Sequence, residues 1–216
     1  MSTVAVLDYG MGNLRSVAKA LEHVAPKARV VLATDARAIA GADRVVFPGQ
    51  GAIKGCMHAL VRDDLRAAVI QAARERPFLG ICLGLQALYE RSEEGGNVEG
   101  LGLLAGSVRL FTAPVDATGA RLKVPHMGWN RVHQTRAHPL WEGIDDEARF
   151  YFVHSYYADS PDAPETVGVT DYGARFTSAA AYGNIFAVQF HPEKSQRAGL
   201  RLLQNFMAWD GRTEKC

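Results

Sequence analysis

Short apolar runs alternate with helix-period segments from the start of the chain to Glu90, and this alternation constrains the fold more than any other feature. Val4–Leu7, Arg29–Ala33, Val45–Phe47 and Phe78–Ile81 are strand-length runs. Between the first two, Leu14, Val17, Ala18 and Leu21 recur at helical spacing behind Asn13, a residue type suited to capping. A second helical stretch covers roughly residues 52 to 75, with a break expected near Asp63–Asp64. Strands that alternate with helices build a parallel sheet covered on both faces, with ligands at the carboxyl ends of the strands.

The second half changes character. Val108–Phe111, Trp129–His133, Arg149–Tyr157, Thr166–Thr170, Phe176–Tyr182 and Ile185–Phe190 read as strands, and Gly183–Asn184 between the last two is a hairpin signal. An amphipathic helix with Leu200, Leu202, Leu203, Phe206 and Met207 follows, with Ser195 as its expected cap. The expected fold is α/β: an open, mixed, mainly parallel sheet with helices on both faces and additional antiparallel strands in the second half. No repeat or linker interrupts the pattern, so residues 1–216 are read as one domain.

The composition excludes several classes. The chain is 48% hydrophobic and 22% charged, with formal net charge +1 and no basic run suited to nucleic acid or a membrane surface. Met1–Leu7 lacks the basic and long apolar regions of a signal peptide, and no apolar run approaches a membrane span. Cys56, Cys82 and Cys216 are three scattered cysteines without metal-ligand spacing, which predicts reduced thiols in the cytoplasm. Neither metal nor cofactor is expected.

Chemistry concentrates at two places. Gly80-Ile81-Cys82-Leu83-Gly84 joins an apolar strand to the helical pattern Leu85–Glu90. Glycine-flanked nucleophiles at such turns form the elbow of α/β enzymes, where the helix N-terminus also favours a thiolate. Phe190-His191-Pro192-Glu193 follows the last apolar strand. In an extended segment His191 and Glu193 face one side, and Pro192 keeps His191 out of helical geometry. A carboxylate beside imidazole fixes its tautomer and stabilises the imidazolium, so Cys82, His191 and Glu193 offer nucleophile, base and orienter.

These residues resemble the triad glutamine amidotransferases, whose Gly-x-Cys-x-Gly-x-Gln pattern is matched by Gly80 through Gln86. The resemblance runs from Asp8-Tyr9-Gly10 to the last helix. The segments Asp8–Leu14, Pro48–Gly51, Pro125–Asn130, Tyr151–Tyr156 and His191–Gln196 narrow it to the branch whose glutaminases serve a (β/α)₈-barrel cyclase in histidine biosynthesis. It implies hydrolysis of glutamine through a Cys82 thioester and delivery of ammonia to that partner. Alternatives are the glutaminase of another synthase, or a γ-glutamyl hydrolase on the same fold.

Elbow geometry makes the Leu83 N–H one oxyanion donor, and the loop Gly49-Gln50-Gly51 should supply the second. Glycines on both sides of Gln50 make a peptide flip sterically cheap, so this loop is expected to switch with partner and cyclase-ligand binding, the alternative being a rigid turn that needs glycine for its shape. By resemblance, Gln86 and the segment His154-Ser155-Tyr156 hold the amino-acid end of glutamine. Asn13, Arg15, Met127, Trp129 and Lys194 flank the motifs and are the expected partner contacts, Trp129 foremost. Cys56 is read as packing and Cys216 as a frayed terminus. His23, His58, His133 and His138 lack a partner pattern, and Asp63–Asp64 and Glu93–Glu94 read as solvated.

Overall fold

The computed structural model describes residues 1–10, 14–62 and 64–212. The strands are β1 (Thr3–Leu7), β2 (Arg29–Ala33), β3 (Arg44–Gly49), β4 (Phe78–Cys82), β5 (Tyr89–Ser92), β6 (Val98–Glu99) and β7 (Leu104–Leu110). They continue as β8 (His126–Gln134), β9 (Ala148–His154), β10 (Tyr156–Ala158), β11 (Thr166–Asp171), β12 (Arg175–Tyr182) and β13 (Ile185–Val188). Helices α1 (Leu14–Val24), α2 (Ala36–Ala40), α3 (Ile53–Arg62), α4 (Leu65–Glu75), α5 (Leu83–Leu88) and α6 (Gln196–Ala208) connect or cover them.

The expected parallel core is present. Strands β2, β1, β3, β4 and β13 lie side by side in that order, each pair parallel. Beyond β13 the pairing turns antiparallel through β12, with β10–β7 and β11–β8–β9 extending from there. Alternation along β1 explains the layering. Ala5 and Leu7 pack with Ile39, Ile53, Leu60 and Val69 of α2–α4, whereas Val4 and Val6 pack with α1 and α6 through Leu14, Val17, Leu202 and Phe206. No helix among the described residues is long and apolar enough to cross a membrane.

Several local expectations fail for identifiable reasons. The helical run ends at Leu88, because Tyr89 turns extended and Tyr89–Ser92 pairs with β6 and β7. Arg149–Tyr157 is two strands, interrupted at Ser155, whose carbonyl accepts the Phe111 N–H at 3.0 Å. Ser195 does not cap α6 through its side chain. Its hydroxyl donates to the His191 carbonyl at 2.6 Å and accepts the Tyr151 N–H at 2.9 Å. The α3–α4 break falls where expected, with Asp64 in a left-handed conformation at φ 53°. Asn13, Asp63 and Cys216 lie outside the described residues.

Candidate active site

Three neighbouring parallel strands end at one place. The register sets Gly49 of β3 opposite Cys82 of β4, and Val188 of β13 opposite Ile81. The loop after β3, the elbow after β4 and the His191 segment after β13 therefore meet at the carboxyl edge of the sheet.

At the elbow the strained residue is Cys82 itself, with φ 55° and ψ −104°. Its flanking glycines do not adopt positive φ; that angle sits on the cysteine. They are needed for close approach instead. A Cβ on Gly80 would sit 2.9 Å from Ala187 Cβ of β13, and one on Gly84 would overlap the Phe47 carbonyl of β3. Crowding from both neighbouring strands presses the turn into shape and presents the sulfur above the short, wholly buried helix α5.

His191 Nδ1 lies 2.9 Å from Glu193 Oε1, and both side chains are only 2% exposed. The contact arises differently from the expected extended run, because Pro192–Lys194 forms a 3₁₀ turn that brings Glu193 back under the ring. The His191 N–H donates to the Tyr151 carbonyl at 2.9 Å, which ties the base to β9. Burial opposes the imidazolium, but the nearby Cys82, then the Glu193 hydrogen bond and charge, outweigh it and raise His191 to about 10. His191 Nε2 is buried without a geometrically formed hydrogen bond among the described residues, so the proton-carrying nitrogen is uncommitted. The arrangement is a cysteine and an imidazole backed by a buried carboxylate, suited to acyl transfer.

A cavity of about 400 Å³ opens over the sulfur. Gln50, Gly51, Cys82, Leu83, Gln86, His154, Ser155, Tyr156 and His191 line it, as does Lys194, which is also an expected partner contact. Gly49 is buried beneath it in β3, and Glu193 stands behind His191. Met127 and Trp129 sit on β8 with 61% and 38% exposure, and Arg15 is exposed on α1 in a separate groove with Val30 and Leu32. A larger open groove of about 1110 Å³ beside α1 and α6 contains none of the expected site residues.

The sequence reading missed lining residues Glu94, Pro125 and Val153. Glu94, read as solvated, accepts the Ile53 N–H at 2.9 Å, which fixes a carboxylate at the cavity wall. Glu93 likewise accepts the Leu110 N–H at 3.1 Å. Gln189 was also missed: it is fully buried beside the nucleophile, and the only signal was a polar side chain inside the apolar run Ile185–Phe190. His133, read as lacking partners, lies 3.0 Å from Asp146 and 3.3 Å from Glu147 on the exposed surface.

Behind the cavity, His126 Nδ1 and His154 Nε2 are 3.0 Å apart. Asn130 Nδ2 faces the Asp171 carbonyl at 3.0 Å and His126 Nε2 at 3.3 Å, so it is the donor end of that amide. His126 then donates from Nδ1 to His154, which donates from Nδ1 to the Tyr156 carbonyl at 2.8 Å. An added proton on either ring would set two donors face to face. Burial lowers His126 to about 4, and burial together with the neighbouring His126 lowers His154 to about 3. His138, packed between Phe186 and Trp209, is lowered to about 4 by burial and then Arg136.

These shifts predict acid sensitivity. A histidine whose folded pKa is depressed gains protons on unfolding once the pH drops below its unfolded value of about 6.5, so its contribution is complete above that value and is lost as pH falls toward the folded pKa. Between pH 7 and pH 5 the group should lose a few kcal/mol, roughly 5–10 °C in Tm. Melting curves across that range check this, and a flat Tm would show that these rings are not held neutral.

The sequence pattern of the family "Glutamine amidotransferase class-I" matches residues 5–209. The imidazole glycerol phosphate synthase subunit HisH of Aromatoleum aromaticum is 60% identical over 211 residues, 97% of this chain and 99% of that protein. The subunit HisH 1 of Pseudomonas aeruginosa is 58% identical, covering 98% of this chain and 99% of its own length. Among solved structures, a putative GMP synthase subunit from Thermoplasma acidophilum superposes with TM-score 0.69 at 21% identity, over 96% of this chain and 93% of that one. That likeness speaks to the fold, and the sequence matches speak to descent. The chain belongs to the class-I glutamine amidotransferases, in the branch of the imidazole glycerol phosphate synthase HisH subunits.

Proposed function

We propose that this chain is the glutamine-hydrolysing subunit of an imidazole glycerol phosphate synthase, releasing glutamate and passing ammonia to a (β/α)₈-barrel cyclase. The convergence of Cys82 with the buried His191–Glu193 pair at a cavity of about 400 Å³ carries this reading. Cys82 passes its proton to His191 and attacks the side-chain carbonyl as thiolate, and the imidazolium so formed protonates the departing nitrogen. The resulting γ-glutamyl thioester is cleaved by water that His191, now neutral, deprotonates. Leu83 N–H and the Gly49–Gly51 loop carry the oxyanion. Gly51 has φ 96°, a conformation that side chains resist, so exchange of the Gln50 peptide between two orientations remains cheap there.

The amino-acid end of glutamine lies toward Gln86 and His154-Ser155-Tyr156, where the Glu94 carboxylate complements the α-ammonium. Ammonia released into water at neutral pH becomes ammonium, a poor nucleophile, so the product needs a covered exit. Exposed Met127 and Trp129, with Asn13, Arg15 and Lys194, are the proposed contacts of the covering partner. A cytoplasmic setting suits this role, since Cys56 and Cys82 are free thiols.

The test is glutamine hydrolysis by the chain alone, with the candidate cyclase, and with cyclase plus its ribonucleotide ligand. Stimulation by the ligand-loaded partner, lost in Cys82→Ala and blunted in Gly51→Ala, is the expected result. Absence of stimulation by the ligand-loaded cyclase would overturn the assignment to this synthase, and an active Cys82→Ala would overturn the chemistry.

A further inference from the structure

We propose that Gln189 is a further catalytic residue, whose side-chain amide donates to Cys82 Sγ and aims the sulfur at the substrate carbonyl. The proposal rests on Cys82 being the nucleophile described above.

Gln189 immediately follows β13, is 0% exposed, and stands between Val188 and Phe190, which are also fully buried. An amide in such a place costs free energy unless its polar atoms are paired. Both are. Gln189 Nε2 lies 3.6 Å from Cys82 Sγ, within range for an N–H···S bond, and Gln189 Oε1 accepts from Gln86 Nε2 at 3.1 Å. The second contact removes any ambiguity about the first. With Gln86 donating to the oxygen, the nitrogen must be the end that faces sulfur.

Gln86 is held in turn. Its Nε2 also donates to the Tyr156 carbonyl at 2.8 Å, the same oxygen that receives the His154 Nδ1–H at 2.8 Å. From Asn130 through His126 and His154 to that carbonyl, and from there through Gln86 and Gln189 to Cys82, the hydrogen bonds admit a single assignment of donors and acceptors. Besides facing the bound glutamine, Gln86 and His154 act on the sulfur only through Gln189. A donor to sulfur bonds more strongly to a thiolate than to a thiol, and a fixed donor also restricts the rotation of Cys82. His191 supplies the proton for the leaving nitrogen, so it is not free to hold the sulfur throughout the reaction. Gln189 has no proton to lose and performs that task at every step.

The experiment uses the chain assembled with its cyclase. Gln189→Met keeps the length and burial of the side chain but removes the donor. Gln189→Glu keeps the shape and puts a carboxyl group against sulfur. The expected result is a fall in kcat for glutamine of about 10–100-fold with little change in KM, as for loss of a hydrogen bond to a charged group. Alkylation of Cys82 by iodoacetamide, followed by mass of the modified peptide, should slow by a similar factor at fixed pH, with Gln189→Glu slower than Gln189→Met. Gln86→Leu should show a smaller loss of kcat and of alkylation rate, with a raised KM as well because Gln86 also faces the bound glutamine. Slowed alkylation in a preparation that does not hydrolyse glutamine would still support the contact while removing the functional reading. A folded Gln189→Met that hydrolyses glutamine and is alkylated at the parent rates would overturn the proposal. So would loss of kcat with alkylation unchanged, because that pattern belongs to a structural defect elsewhere.

Discussion

Glu193→Gln should lower kcat for glutamine hydrolysis by about 10³–10⁴-fold while leaving KM within a few-fold. Glu193 touches nothing that reacts; it acts through the ring of His191, 2.9 Å away and equally buried. An amide can meet His191 Nδ1 in two ways, and both are damaging. Presenting its oxygen keeps the useful tautomer but removes the negative charge that sustains the imidazolium in a buried place. Presenting its NH₂ reverses the tautomer and takes away the base. Either way the His191 pKa, now raised to about 10 against the pull of burial, should fall, because burial then meets less opposition. The alkaline limb of the pH–rate profile should therefore move to lower pH, since the proton destined for the leaving nitrogen is lost earlier. Steady-state kinetics across pH would test this, and a variant within threefold of the parent kcat with an unmoved limb would mean Glu193 is structural only.

The parts of this site that could be read from sequence are those set by rules acting over a few residues. The apolar runs gave the parallel strands because buried parallel strands need continuous hydrophobicity. The elbow and His191-Pro192-Glu193 are each compact patterns, and the sheet had only to bring β4 and β13 together. What escaped depends on partners remote in the chain. Gln189 bonds to a sulfur 107 positions away and to Gln86 at a separation of 103, so no local spacing marks it. His126 and His154 are 28 positions apart and pair only because β8 and β9 place them in register. Ser195 looked like a helix cap, since serine before an amphipathic run usually is one. The Tyr151 N–H and the His191 carbonyl captured its hydroxyl instead, a choice no window around Ser195 could reveal. Pro192 was read correctly as keeping His191 extended, but the turn it begins is what returns Glu193 to the ring.

The elbow glycines provide the second large effect, because close packing rather than backbone freedom requires them. If a left-handed conformation were their purpose, Gly84→Ala would cost only that strain, about 1–2 kcal/mol. Gly84 has no positive φ; a Cβ there would overlap the Phe47 carbonyl oxygen and lie 3.0 Å from its carbon. Those are backbone atoms of β3, a strand whose residues Val45–Gly49 are all buried. Moving them breaks the register Phe47↔Gly80, Pro48↔Ile81 and Gly49↔Cys82, which carries both the nucleophile and the oxyanion loop. Gly84→Ala should therefore lower stability by more than about 4 kcal/mol, at the far end of single-residue effects, and lose activity with it. Gly102→Ala is the internal comparison: that residue has φ 64° but open space around its Cα, so it pays only the strain of the left-handed conformation. Thermal melts of the two variants separate the explanations. Crowding predicts that Gly84→Ala shifts Tm by roughly 10 °C or more and Gly102→Ala by only a few degrees. Equal shifts would mean that the elbow tolerates a side chain by relaxing, and that Cys82 does not depend on β3 for its strained conformation.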